Sequence, residues 1–199
     1  MARDRAARPE ARPLRLFIAV DLPQDVRELV DRGVEPIRER YPQGRWVPVR
    51  NQHVTLKFLG ATWPRLVEGV LATVGSVAAR HRPFETRVSG LGAFPSVRRA
   101  RVLWAGLEDP AGRLAAIAAD LDAELARDFA PEKRPFAAHL TVARFDPPVP
   151  LAEDLAEIGL ESRPFEVAWL VVYRSHLQRP APVYEPLATF PLGDELRDP

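Results

Sequence analysis

The stretch Asn51–Gly60, NQHVTLKFLG, alternates apolar Val54, Leu56 and Phe58 with His53, Thr55 and Lys57. A period of two is that of a β-strand, whose successive side chains point to opposite faces. If the apolar set packs on helices, His53 and Thr55 stand side by side on an open face. Phe136–Phe145, FAAHLTVARF, repeats the arrangement with His139 and Thr141. With 4 His and 6 Thr in the whole chain, chance supplies about a tenth of one such strand-spaced pair. Two pairs in two strand-like runs therefore carry information.

Working outward, Leu14–Leu22 is an apolar run between Pro13 and Pro23 and reads as a buried strand. Residues 23–40 read as a helix with an apolar stripe, in which Pro36 forces a kink or an early end. Residues 65–80 form a second helical pattern. Phe84–Val88 reads as a strand entering a Gly-rich turn, GLGAFP, at 90–95. The order then restarts with a strand at Arg101–Leu107 and a helix opened by Asp109–Pro110. The second His strand, a short helix near 151–158 and strands at 165–173 and 183–190 follow.

Arg15 and Arg101 are separated by the same 86 residues as His53 and His139, and Arg82-Pro83-Phe84-Glu85 recurs 81 residues on as Arg163-Pro164-Phe165-Glu166. The ordered matches predict an α+β fold, a bilobed duplication of a β-α-β-α-β unit with mainly antiparallel sheets facing a central cleft. A single bilobed domain is expected, its first repeat at about 14–95 and its second at about 100–192. Two independent domains without a cleft are the competing arrangement.

Composition narrows the function. Of the 199 residues, 46% are hydrophobic and 28% charged, with a net charge of +1, so any basic binding surface must be local. There is no cysteine, which removes disulfides and thiolate chemistry and suits a cytoplasmic protein. No run reaches the roughly 18 apolar residues of a membrane span, and the basic start, residues 1–13, reads as a tail rather than a secretory signal. No partner chain is indicated, and a monomer is expected.

Two histidines converging on one cleft suit general acid–base chemistry at phosphorus. One neutral imidazole takes a proton from the attacking oxygen and the other, protonated, gives one to the leaving oxygen. An unperturbed pKa near 6.5 makes both forms available at neutral pH. Thr55 and Thr141, two residues further along, fall on the same face and can hold non-bridging phosphate oxygens. No His-Glu-x-x-His helix, Gly-x-Ser-x-Gly or Walker sequence is present, and His81 and His176 have no ligand-like spacing, so neither metal nor cofactor is expected. His81 and His176 read as solvated loop residues. Arg98, Arg99 and Arg101 are the densest basic cluster. Of the aromatics, Phe17, Trp46 and Phe58 could stack a base, with core packing favoured for Phe17 and Phe58.

The paired His-x-Thr motifs, with LFIAVDLP, WVPVRNQHVTLKFLG, LGAFPSVRRARVLWAGL, HLTVAR and RSHLQRPAPVYEPL, resemble the two-histidine (2H) phosphoesterase superfamily, and within it the LigT-like RNA 2′,3′-cyclic phosphodiesterases, often labelled 2′-5′ RNA ligases. The resemblance covers about residues 14–192. It implies that His53 and His139 are catalytic, that Thr55 and Thr141 bind phosphate, and that Arg144 stands near the substrate phosphate. It further implies a metal-independent enzyme that opens 2′,3′-cyclic phosphates on RNA or nucleotides to 2′-phosphates. A 2′-5′ ligation by the same site, with an RNA 5′-hydroxyl in place of water, is one alternative, and a non-catalytic RNA-binding module of the same fold is another. Ala138 stands where the family usually has Pro before the second His. Ideal alternation puts Arg144 opposite to His139, so its role requires a bulge or a strand end.

Overall fold

Residues 12–109 and 111–193 are described by a computed structural model. Most of the expected tail and Pro110 lie outside these residues. The elements, in chain order, are β1 (Leu14–Asp21), α1 (Gln24–Gly33), α2 (Glu35–Arg40), β2 (Arg45–Trp46), β3 (His53–Thr62), α3 (Pro64–Arg80), β4 (Phe84–Thr86), β5 (Val88–Phe94), β6 (Ala100–Leu107), α4 (Arg113–Leu125), β7 (His139–Val149), α5 (Ala152–Glu157), β8 (Phe165–Val167), β9 (Trp169–His176) and β10 (Val183–Pro191). Among the described residues, no helix is long and apolar enough to cross a membrane.

Eight strands form one sheet in the order β10-β9-β1-β3-β7-β6-β5, with β2 alongside β7, while β4 and β8 make a separate two-stranded ribbon. Every pairing is antiparallel. The two halves of the sheet meet at one pair, Val54 with Leu140, and separate on either side of it. Those partners lie 86 residues apart, and Glu85 and Glu166, paired in the ribbon, lie 81 apart. A twofold axis runs between the partners of any antiparallel pair. Both junctions thus relate positions that the two sequence offsets also relate. Each half is completed by a strand from the other: β9 pairs with β1, and β5 with β6.

The helices cover one face. Leu16, Ile18 and Val20 of β1 join Val70, Val74 and Val77 of α3 and Leu114, Ile117 and Leu121 of α4 in one continuous core. α3 lies against β9, β10 and α4, while α4 lies against β3. The helix expected over 23–40 is broken at Val34, and Pro36 sits in the first turn of α2, where a missing N–H costs nothing. Asp109 caps α4, its carboxylate accepting from the N–H groups of Leu114 and Ala115 at 3.1 and 3.0 Å.

Three sequence expectations need correction. GLGAFP is not a turn: Gly90–Phe94 belongs to β5, where Gly90 takes a left-handed φ of 75° and Gly92 serves packing. A Cβ at Gly92 would lie 2.2 Å from the Trp104 indole, so only glycine lets that ring cross β5. His81 and His176 are held by carboxylates, Asp120 at 2.9 Å and Glu185 at 2.7 Å. Phe58 is not in the core, and Lys57 is not on the open face. Ile18 pairs with Lys57 and Ala19 with Thr55, leaving Leu56 as an extra residue. This bulge turns Leu56 and Lys57 both inward, 4% and 1% exposed, and brings Phe58 out to 48%.

Burial of Lys57 is tolerable because its ammonium donates to Asp122 of α4 and, at 3.4 Å, to the Ala130 carbonyl. Asp122→Ala is expected to destabilise the chain by about 3 kcal/mol in denaturant unfolding, because it strands a charge among apolar groups. Lys57→Met should cost clearly less. Equal losses for the two variants would contradict this account.

Candidate active site

β3 presents His53 and Thr55 on the face away from the helices, beside Asp21 and Ala19 of β1. Phe17 floors this half: its ring is stacked against His53 at 4.7 Å and against Tyr173 at 5.2 Å. Tyr184 meets His53 edge-on at 5.2 Å. Phe17 is therefore buried, as expected, yet it faces the site rather than the helices. His53 Nδ1 lies 2.8 Å from the Asn51 carbonyl. A carbonyl only accepts, so Nδ1 carries a hydrogen, and Nε2 is left to face Thr55 Oγ1 at 3.1 Å. Asn51 is itself fixed by its amide donating to the Pro182 carbonyl at 2.7 Å.

β7 builds the counterpart. His139 Nδ1 lies 2.7 Å from the Ala137 carbonyl, again two residues earlier, so its Nε2 also faces the opening. Phe94 meets the ring edge-on at 5.2 Å and Trp104 stands at 6.3 Å. The approach of the strand, where Ala138 replaces the usual proline, is held by Leu107 N–H donating to the Ala138 carbonyl at 3.0 Å. Val54 opposite Leu140 is the one pairing of β3 with β7, and His53 and His139 each come one residue before it on their own strand. The two histidines thus approach the junction from opposite ends of the antiparallel pair.

Arg144 reaches this face because β7 bulges. Trp104 pairs with Thr141 and Leu103 with Ala143, so Val142 is the extra residue and both Val142 and Ala143 turn inward. Arg144 emerges exposed on the side of His139 and Thr141. Val142 and Leu56 are 86 residues apart, and so are Arg144 and Phe58. Equivalent bulges thus bring a guanidinium to one side of the site and a phenyl ring to the other. Arg45 of β2 pairs directly with Arg144 and shares its face, and Arg15 lies over the Phe58 ring at 5.9 Å. Of the sequence-derived basic cluster, Arg101 is engaged by Asp146 at 3.1 Å. Trp46 packs edge-on to Phe145 beneath Arg38 rather than lining the cleft floor.

Burial holds the His53 imidazolium below its ordinary pKa, opposed in part by the bond to the Asn51 carbonyl. Burial and then the bond to Asp21, 2.7 Å away, push the Tyr173 phenol up, so it stays a donor. Tyr184 is also raised by burial. Tyr173, Tyr184, Phe94, Trp104 and Arg45 are parts of this face that the two motifs did not point to. Tyr173 and Tyr184 flank RSHLQRPAPV, where the tyrosines themselves were the available signal.

Two imidazoles tethered at Nδ1, two hydroxyls and an arginine thus share the face of the sheet away from the helices. Residues 24–179 match the 2'-5' RNA ligase superfamily. An RNA 2',3'-cyclic phosphodiesterase of Geobacillus stearothermophilus is 32% identical over an alignment of 184 positions that covers 88% of this chain and 56% of that protein. The chain therefore spans little more than half the length of that relative. An RNA 2',3'-cyclic phosphodiesterase of Methanothermobacter thermautotrophicus is also 32% identical over 184 residues, covering 90% of this chain and 99% of its own. The crystal structure of TT0787 of Thermus thermophilus superposes with a TM-score of 0.76 at 30% identity, covering 92% of this chain and all of that one. A family match over most of the chain, relatives 32% identical over about nine tenths of it and a common architecture agree, and the chain belongs to the 2'-5' RNA ligase superfamily.

Proposed function

We propose that this chain, as one bilobed domain, hydrolyses 2′,3′-cyclic phosphates on RNA ends or nucleotides to 2′-phosphates, without a metal. The observation that carries the proposal is the matched tethering of both Nδ1 atoms to carbonyls two residues earlier, which leaves both Nε2 atoms towards a shared opening. The similarity to two RNA 2',3'-cyclic phosphodiesterases supports the substrate.

His53 is the base and His139 the acid. A general base must begin neutral, and burial favours neutral His53. Its Nε2 takes a proton from water as the water oxygen bonds to phosphorus. The phosphorus–O3′ bond breaks on the far side, and His139 Nε2–H delivers its proton to O3′. Thr55, Thr141 and Arg144 hold the non-bridging oxygens as charge accumulates on them. Proton exchange with solvent then restores both imidazoles. An RNA 5′-hydroxyl in place of water gives a 2′-5′ linkage by the same steps.

The test is hydrolysis of a 2′,3′-cyclic nucleotide in excess EDTA across a pH series, with the monophosphates separated. A bell-shaped profile is expected, with 2′-phosphate as the main product. The acidic limb belongs to His53: because its folded pKa is lowered, activity should persist below about pH 6.5 before protonation removes the base. A mainly 3′-phosphate product would reverse the ribose in the site. Activity lost on chelation and restored by Mg²⁺ would overturn the two-histidine mechanism.

A further inference from the structure

We propose that a hollow beside His53, walled by Trp169, Asp21, Glu166 and Thr189, is a nucleobase subsite that prefers guanine to uracil. The inference rests on the phosphodiesterase reading above and adds the base that the site selects. The hollow has a volume of about 450 Å³, and Tyr173 and Pro186 complete its rim.

Its position follows from the sheet. Ala19 pairs with Val171, so two residues further on Asp21 stands level with Trp169, and Asp21 pairs with His53. Trp169, Asp21 and His53 therefore form a row across three adjacent strands on the face away from the helices. At the usual strand spacing, Trp169 stands roughly 10 Å from His53 across the sheet. A phosphate held between the histidines places the attached ribose over Asp21 and the base over Trp169.

The chemistry of the walls fits a base and not a second phosphate. Trp169 is 47% exposed, a large ring left open in a concave site, where every nucleobase offers a face to stack. The polar side-chain groups at the wall are two carboxylates and the Thr189 and Tyr173 hydroxyls, with no arginine, lysine or histidine among the lining residues. Asp21 receives the Tyr173 hydroxyl on Oδ2 at 2.7 Å, which leaves Oδ1 free to accept. Carboxylates repel phosphate and accept N–H donors. Guanine offers N1–H and the 2-amino group side by side, matching the two oxygens of one carboxylate. Adenine and cytosine offer one amino group, whereas uracil sets two carbonyls around a single N–H.

Only one half of the molecule is built in this way. The positions equivalent to Trp169 and Asp21, by the offsets of 81 and 86, are Val88 and Leu107, both buried. The base therefore lies on the His53 side, which turns O2′ towards His53 and O3′ towards His139, in keeping with His139 as the acid.

Calorimetric titration of the full chain with 2′-GMP and 2′-UMP tests this without any turnover. The guanine nucleotide should bind about 10-fold more tightly or better. Trp169→Ala should weaken both by about 10-fold or more, Trp169→Phe should restore most of that loss, and Glu166→Gln should narrow the guanine-to-uracil ratio. With 2′,3′-cyclic GMP the Trp169→Ala loss should fall on KM rather than kcat. Equal affinities for the two nucleotides, or unchanged binding in Trp169→Ala, would overturn the subsite even if cyclic nucleotides are hydrolysed. The expected binding pattern with no hydrolysis would uphold the subsite and remove the phosphodiesterase reading instead.

Discussion

His139→Ala is expected to hydrolyse a 2′,3′-cyclic nucleotide about 10² to 10⁴ times more slowly than the intact chain, and to recover most of that loss on a nitrophenyl phosphodiester. The reason lies in the leaving oxygen. A ribose O3′ leaves as an alkoxide unless an acid protonates it, and His139 Nε2 is free to do so because its Nδ1 is occupied by the Ala137 carbonyl. Nitrophenolate needs no proton, so the acid becomes dispensable. His53→Ala should show a comparable loss on the cyclic substrate and no recovery on the activated one, since water must still be deprotonated. Recovery in His53→Ala alone would exchange the two roles. Recovery in neither would mean that both imidazoles act by holding charge, and the acid–base assignment would fall. The stacking of Phe17 on His53 makes the second variant the more disruptive to its surroundings, so each protein should be compared by its unfolding midpoint before the rates are read.

What could be read from sequence was the periodic part of the structure. Alternation located β3 and β7, and the recurrence at 86 residues matches the spacing of Val54 and Leu140, which the structure pairs. Alternation failed at the bulges, because one extra residue reverses every later side chain while leaving the composition of the strand unchanged. That is why Lys57, which strict alternation sends to solvent, is buried against Asp122, and why Phe58 is not. The GLGAFP segment misled for a related reason. Glycine marks a turn through its own freedom, but here Gly92 is required by a neighbouring ring, Trp104, which is distant in sequence. The aromatic surroundings of the histidines were hidden for the same cause. Tyr173 and Tyr184 come to His53 on strands that follow it by more than a hundred residues, and nothing local in the His-x-Thr motif records them.

The bulge at Val142 also makes Arg144 a decisive residue. Arg144→Ala is expected to lower kcat/KM on a 2′,3′-cyclic nucleotide by about 10²-fold, the usual cost of losing one donor aimed at transition-state charge. An unbulged β7 would turn this side chain into the helical layer, where a buried cation needs a partner such as Asp122 provides for Lys57. Its emergence on the face of His139 and Thr141 is therefore a specific feature of the strand. Arg144→Lys should regain only part of the loss, since an ammonium keeps the charge but not the planar fork that spans two phosphate oxygens. Arg45→Ala is the control. Arg45 shares the face but is exposed on a two-residue strand, and its loss should mainly raise KM, by an amount that shrinks as salt is added. If Arg144→Ala instead behaves like Arg45→Ala, with kcat intact and a salt-screened KM, Arg144 steers the nucleotide and does not stabilise the reacting phosphate. A full loss with a salt-independent kcat would place its guanidinium on the phosphate itself, because a direct contact is screened far less than attraction across several ångströms of solvent.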